Sequence, residues 1–178
     1  MKVLGLVGSP RKGGNTDLLV SAILYGAGAS NHEIEKLFLY DLHISPCLDC
    51  RSCKKRTCQC ILKDGMKEVY HKLDEADTII FGTPLYWYGP TAKMKLLVDR
   101  LRPYCASRKL SGKKAIIVVP SEEGANACRS LVKMFELSFK YLGVALNGKV
   151  LVKASEKAEV RNQHGVLDKA FELGKALK

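Results

Sequence analysis

No run of the 178-residue sequence approaches the ~20 apolar residues that a membrane span requires, although 47% of the residues are hydrophobic. The opening MKVLGLVGSP has too short an apolar stretch for the core of a secretory signal. The expectation is therefore a soluble, cytoplasmic protein without membrane attachment, in a compartment that does not favour disulfides. GxGxxG is absent, which excludes the dinucleotide fingerprint. Gly8-x4-Gly13 continues as Gly-Asn rather than Lys-Ser/Thr, which excludes a Walker loop. No nucleic-acid-binding motif is present, and no internal repeat, low-complexity tract or linker divides the chain. Residues 1–178 read as a single domain.

What is present begins with charge. Lys and Arg number 29 against 18 acidic residues, a formal net charge of +11. The excess is spread over the chain, as expected for a solvated surface. Lys54-Lys55-Arg56 differs because it lies among cysteines, where it would offset thiolate charge and offer a basic rim to an acidic electron donor. His32, His71 and His164 fall on predicted strand or helix edges and read as surface residues. Cys105 and Cys128 read as small core residues.

The other five of seven cysteines crowd into PCLDCRSCKKRTCQC, at 47, 50, 53, 58 and 60. The spacing is C-x2-C-x2-C, followed by x4 to Cys58 or x6 to Cys60. Three thiolates at such short intervals can wrap one compact, soft, multi-iron group, with a fourth completing the shell, as in a 4Fe–4S cluster. Competing readings are structural zinc, a disulfide framework and a metal-free redox loop. Zinc usually takes two separated C-x-x-C pairs, and here no second pair stands at that distance and His43 is the one nearby histidine.

Hydrophobic periodicity places five strands: KVLGLVG at 2–8, EIEKLFLY at 33–40, TIIFGT from Thr78, KAIIVVP ending at Pro120, and a weaker KVLVKA from Lys149. Helical patterns run from Asn15 or Thr16 to near Gly26 or Gly28, from Met66 through MKEVYHKLDEAD, over Thr91 to Arg102, over Ala125 to Tyr141, and from Val160 to the C-terminus. Strands alternating with helices predict a three-layer α/β domain with a doubly wound, five-stranded parallel sheet of flavodoxin-like order 2-1-3-4-5. The cysteine loop, 46–62, is inserted between strand 2 and helix 2.

In such a sheet a ligand sits outside the carboxyl ends of the strands. After strand 1, GSPRKGGNT brings Ser9, Arg11, Asn15 and Thr16 to a helix N-terminus, a set suited to a monophosphate; an ordinary turn capped by Asn15 or Thr16 is the alternative. After strand 3, Pro84, Leu85, Tyr86, Trp87, Tyr88 and Gly89 form an aromatic platform for a flat heterocycle, with Gly89 permitting close backbone approach. The same aromatics could instead pack a sheet rim or subunit interface. SEEGAN, after strand 4, borders the same region.

GSPRKGGNT, TPLYWYG and the cysteine run leading into ILKDGM resemble the NADPH-dependent FMN reductase superfamily of flavodoxin-like proteins, and more narrowly its iron–sulfur flavoproteins, over nearly the whole chain. The resemblance implies FMN and a 4Fe–4S cluster, a homodimer or homotetramer, no catalytic side chain, and ferredoxin or another acidic carrier as partner. Electrons would pass through the cluster to FMN and on to a small-molecule acceptor such as quinone, oxygen or peroxide. Carried over, Ser9, Arg11, Asn15 and Thr16 hold the phosphate, Pro84 to Gly89 the isoalloxazine, and Cys47, Cys50, Cys53 and one more cysteine the cluster. Cys60 is the favoured fourth ligand, with Cys58 as the alternative, because Cys60 precedes Ile61-Leu62-Lys63-Asp64-Gly65-Met66. The family's second acidic residue is Gly65 here. The alternative function is a cluster-free NAD(P)H-dependent FMN or quinone reductase.

Overall fold

Strict alternation along β1 (Lys2–Val7) sends Leu4 and Leu6 to one face of a sheet and Val3 and Val7 to the other, and all four are fully buried. In a computed structural model, which describes residues 1–55 and 57–178, this strand is flanked by β2 (Glu33–Phe38) and β3 (Thr78–Gly82). The sheet continues through β4 (Lys114–Ser121) to β5 (Ala145–Lys153). All its pairings are parallel and its order is 2-1-3-4-5, as expected.

The two faces are covered by different helices. Against Leu4, Leu6, Ile79 and Phe81 pack α2 (Met66–Glu75), α3 (Ala92–Asp99) and α5 (Arg129–Leu142). Phe81, Phe135 and Phe139 meet there with ring centroids 5.0–5.5 Å apart. Each fully buried large apolar side chain contributes roughly 1.5–3 kcal/mol. On the other face lie α1 (Asn15–Ala29) and α6 (Val166–Lys175). These two helices cross backbone to backbone: a Cβ on Gly26 would stand 1.9 Å from the Phe171 carbonyl oxygen, and one on Gly174 equally close to that of Ile23.

Several expected boundaries move. The third helix stops at Asp99, and α4 (Pro103–Ser107) restarts with Pro103 at its first turn. Short 3-10 turns, Ala125–Cys128 and Glu159–Asn162, precede α5 and α6, and another at Leu39–Asp41 replaces the end of the second strand. The fifth strand begins at Ala145 rather than Lys149. Its pairing steps from Leu146 to Gly148 between Ala115 and Ile116, so Asn147 is an extra residue in a bulge. No helix among the described residues is long and apolar enough to cross a membrane.

Candidate functional site

Two regions at the strand ends and beyond β2 gather the candidate residues. The first is built by lacing three loops together. Gly8 N donates to the Gly82 carbonyl (2.7 Å), and the buried Thr91 hydroxyl donates to the Gly8 carbonyl (2.6 Å). Thr91 N in turn donates to Thr83 Oγ1 (3.0 Å), and Leu85 N to the Pro120 carbonyl (3.2 Å). Thr91 also accepts from Met94 N, capping α3. This fixes the loops after β1, β3 and β4 around a cavity of about 390 Å3.

Ser9, Arg11, Asn15 and Thr16 line one side of the cavity, and Pro84, Leu85, Tyr86 and Trp87 line another. Ser121 and Glu122 border it too, as the loop after β4 suggested. The α1 N-terminus with Arg11 provides an anion-binding end. The volume falls within the range of small-molecule sites, ~300–1,000 Å3.

Asn15 does more than line this cavity. Its Nδ2 donates to the Glu156 carbonyl (2.7 Å) and its Oδ1 accepts from Val160 N (3.2 Å), so both ends of the amide hold the loop after β5. Neither Asn15 nor Thr16 is the helix cap; Gly14 occupies that position. The loop after β5 supplies Ala154, Ser155 and Lys157 to the cavity wall, a contribution the sequence reading missed. Arg11 reaches across to the Ser155 carbonyl (3.4 Å). Below the loop, Asp17 is largely buried, which opposes its ionisation. The Lys36 ammonium at 2.8 Å and the Gly13 amide outweigh that and hold the carboxyl below its ordinary range.

The aromatic loop departs from expectation in one respect. Tyr86 and Gly89 exchange two backbone hydrogen bonds of 2.9 Å, closing a hairpin whose central residues, Trp87 and Tyr88, both have positive φ, 48° and 60°. That two-residue turn ordinarily takes Asn-Gly. Trp87 is 97% exposed at the cavity edge, whereas Tyr88 and Gly89 are not among the cavity-lining residues. The Tyr88 carbonyl instead accepts from Ser130 Oγ (2.5 Å). Gly89 needs no close approach of its own, since a Cβ there would meet only the Tyr86 carbonyl oxygen, at 3.7 Å.

The second region collects Cys47, Cys50, Cys53 and Cys60 around one recess of about 20 Å3, walled also by Tyr70, Arg100 and Arg102. Cys58 is not among its lining residues; it sits in the same loop with φ 50°. Among the described residues no three His, Cys, Asp or Glu side chains are drawn together tightly enough to hold a metal ion. Arg56 of the basic group lies outside the described residues; Lys54 and Lys55 are exposed. Ser52, through its amide and hydroxyl, lowers the Cys50 thiol pKa, whereas burial raises that of Cys53. Arg102 pairs with Asp49 and interacts with Cys47.

Beside these thiols lies a buried ion pair. Arg100 is 1% exposed and grips Asp64, 4% exposed, end-on through Nη1 (2.8 Å) and Nη2 (3.2 Å), while Nη1 also donates to the Ser45 carbonyl (2.8 Å). Burial works against the Asp64 charge, but Arg100 and the amides of Ser45 and Met66 outweigh it and keep the carboxyl below its usual range. The Gly65 departure has a steric reason, because a Cβ there would stand 2.9 Å from the His43 carbonyl oxygen. Cys128 is buried in the core and Cys105 packs against it. His71 and His164 are exposed; His32 is half-buried, with Nε2 3.1 Å from the Leu177 carbonyl oxygen.

A parallel sheet of this order, with a cavity where the β1, β3 and β4 loops meet, defines a flavodoxin-like cofactor domain. The fold is shared with the Trp repressor binding protein from Bacillus subtilis, at a TM-score of 0.73 and 23% identity over 100% of this chain and 99% of that one. The chain belongs to the NADPH-dependent FMN reductase family, whose model matches residues 1–155. It is 40% identical over 126 residues to an iron-sulfur flavoprotein of Methanocaldococcus jannaschii, covering 70% of this chain and 65% of that protein. With an iron-sulfur flavoprotein of Archaeoglobus fulgidus the identity is 35% over 113 residues, covering 64% and 51%. The matches thus span between half and two thirds of these relatives' own lengths.

Proposed function

We propose that this chain is an iron–sulfur flavoprotein that passes electrons from a one-electron donor to a small acceptor. The observation that carries the reading is the gathering of four thiols, Cys47, Cys50, Cys53 and Cys60, in the chain that also forms the strand-end cavity. Ser9, Arg11 and Thr16 with the α1 N-terminus would hold the FMN phosphate, and Pro84 to Trp87 would face the isoalloxazine. Asn15 positions the loop after β5 against the same cofactor. The four cysteines would hold a 4Fe–4S cluster, and their soft donor set suits it. Bound together, the two groups would join a one-electron carrier to a two-electron acceptor such as quinone, oxygen or peroxide. Lys54, Lys55 and Arg51 give the cysteine loop a basic exterior that suits an acidic donor of the ferredoxin kind. A homodimer or homotetramer is the assembly this reading expects.

The match of the NADPH-dependent FMN reductase family model over residues 1–155 supports a second reading, a cluster-free NAD(P)H-dependent FMN or quinone reductase on the same cavity. One experiment separates them: purification without oxygen, followed by absorption spectroscopy and assay of iron, acid-labile sulfide and FMN on one sample. The proposal expects about four irons and four sulfides with one FMN per chain. FMN without iron after anaerobic reconstitution, together with NAD(P)H oxidation in the absence of ferredoxin, selects the second reading.

A further inference from the structure

Arg100 is fully buried, yet one of its donors is unused. Its two Nη atoms are committed to Asp64 and the Ser45 carbonyl, and Nε finds no acceptor among the described residues. End-on pairing leaves the Nε edge out of the Asp64 contact. The side chain forms part of the wall of the recess that Cys47, Cys50, Cys53 and Cys60 share, and Cys60 acts on it electrostatically. Tyr70 fixes the backbone at this point, its hydroxyl donating to the Arg100 carbonyl at 2.6 Å. A guanidinium so held cannot turn to solvent for an acceptor. Arginine makes this arrangement possible because its planar fork serves two directions at once, which a lysine ammonium does not reproduce.

We propose that Arg100 is a positioning and tuning residue for the sulfur centre, its Nε–H being the donor reserved for a thiolate or sulfide there and Asp64 setting how much of its positive charge the centre feels. The assignment rests on the cluster reading above. When the centre accepts one electron from a one-electron donor it gains one negative charge, with no bond made or broken and no proton taken up. A nearby N–H and positive charge favour that reduced state and raise the potential. Arg100→Lys keeps the charge and loses the inward N–H, so it lowers the potential. Asp64→Asn leaves the guanidinium uncompensated, so it raises it.

The test is an anaerobic redox titration of the loaded, full-length protein, followed by electron paramagnetic resonance, with iron, sulfide and FMN measured on each variant. Expected are wild-type iron contents and opposite shifts, each about tenfold in the reduced-to-oxidised ratio at fixed ambient potential, ~59 mV for one electron. Wild-type potentials in both variants, or shifts of the same sign, overturn the assignment and leave Arg100 a purely structural residue. If one variant fails to fold, the sign of the other's shift decides. Wild-type protein that takes up no iron overturns the underlying cluster reading, and this assignment with it.

Discussion

The strand-end cavity and the thiol recess differ in what makes them. The first is a property of the fold: backbone bonds among Gly8, Gly82, Leu85 and Pro120, with the Thr83 and Thr91 hydroxyls, shape a cavity of about 390 Å3. The second is a property of one inserted loop. Its thiols border a recess of about 20 Å3 whose wall includes Arg100, held in a buried ion pair with Asp64. The contrast teaches that a preorganised site needs few special residues, since its shape is stabilised by the core. The recess takes its shape from individual side chains and is therefore open to single substitutions.

The comparison breaks most sharply at the cysteines. Serine at Cys47, Cys50, Cys53 or Cys60 should abolish iron retention almost completely while leaving FMN content unchanged, because no lining residue is shared between the two regions. Cys58→Ser should keep full iron. Iron and flavin assays on the same anaerobic preparations check this. Iron loss from the Cys58 variant with retention in the Cys60 variant would reverse the choice of fourth ligand.

Each region also rests on one depressed carboxyl, Asp17 under the α1 loop and Asp64 under the recess. Both have folded-state values below the unfolded value of ~3.9. Their stabilisation is therefore fully present above that value and is lost as pH falls through the lower folded values. Urea midpoints should hold level near neutrality and drop below about pH 4. Asp17→Asn and Asp64→Asn should each flatten that drop, the second more, because Arg100 is nearly excluded from water whereas Lys36 is 29% exposed. A smaller step belongs to the cavity alone. Asn15→Ala strands the Glu156 carbonyl and the Val160 amide and should cost about 1–3 kcal/mol, read as a lower urea midpoint with weaker FMN binding.

What the sequence made legible follows the same division. The apolar runs in β1, β3 and β4 are readable because these strands are buried on both faces. β5 is harder to read, because Asn147-Gly148 interrupts its apolar pattern ahead of Lys149. In the sheet Asn147 is taken up by a bulge, and Gly148 leaves room for Leu173, which a Cβ would meet at 3.2 Å. Loops carrying motif residues could be found by their chemistry. The loop after β5 could not, since Ser155 and Lys157 reach the cavity only through the Asn15 anchor, whose partners lie 141 and 145 residues away. Arg100 sits in an ordinary helical pattern, KLLVDRLR. Its burial depends on Asp64, 36 residues earlier, and no local signal records that pairing.

The finest distinction lies within the aromatic hairpin. Left-handed backbone costs an L-residue roughly 1–2 kcal/mol, and here Trp87 and Tyr88 both adopt it. The turn would be more stable as Asn-Gly, so the aromatics are retained against local preference, as strained residues at binding sites often are. Tyr88→Gly should raise stability by about 1 kcal/mol and leave FMN affinity unchanged, because Tyr88 does not line the cavity. Trp87→Asn should gain a comparable amount but weaken FMN about tenfold, through loss of its aromatic face. Gly89→Ala is the control and should change stability by less than ~0.5 kcal/mol, its Cβ making only ordinary van der Waals contact with the Tyr86 carbonyl oxygen at 3.7 Å. Urea midpoints and flavin fluorescence titrations read all three. If Trp87→Asn binds FMN as wild type does, the exposed indole serves a surface other than the flavin, and the aromatic platform reduces to Tyr86 with Pro84 and Leu85.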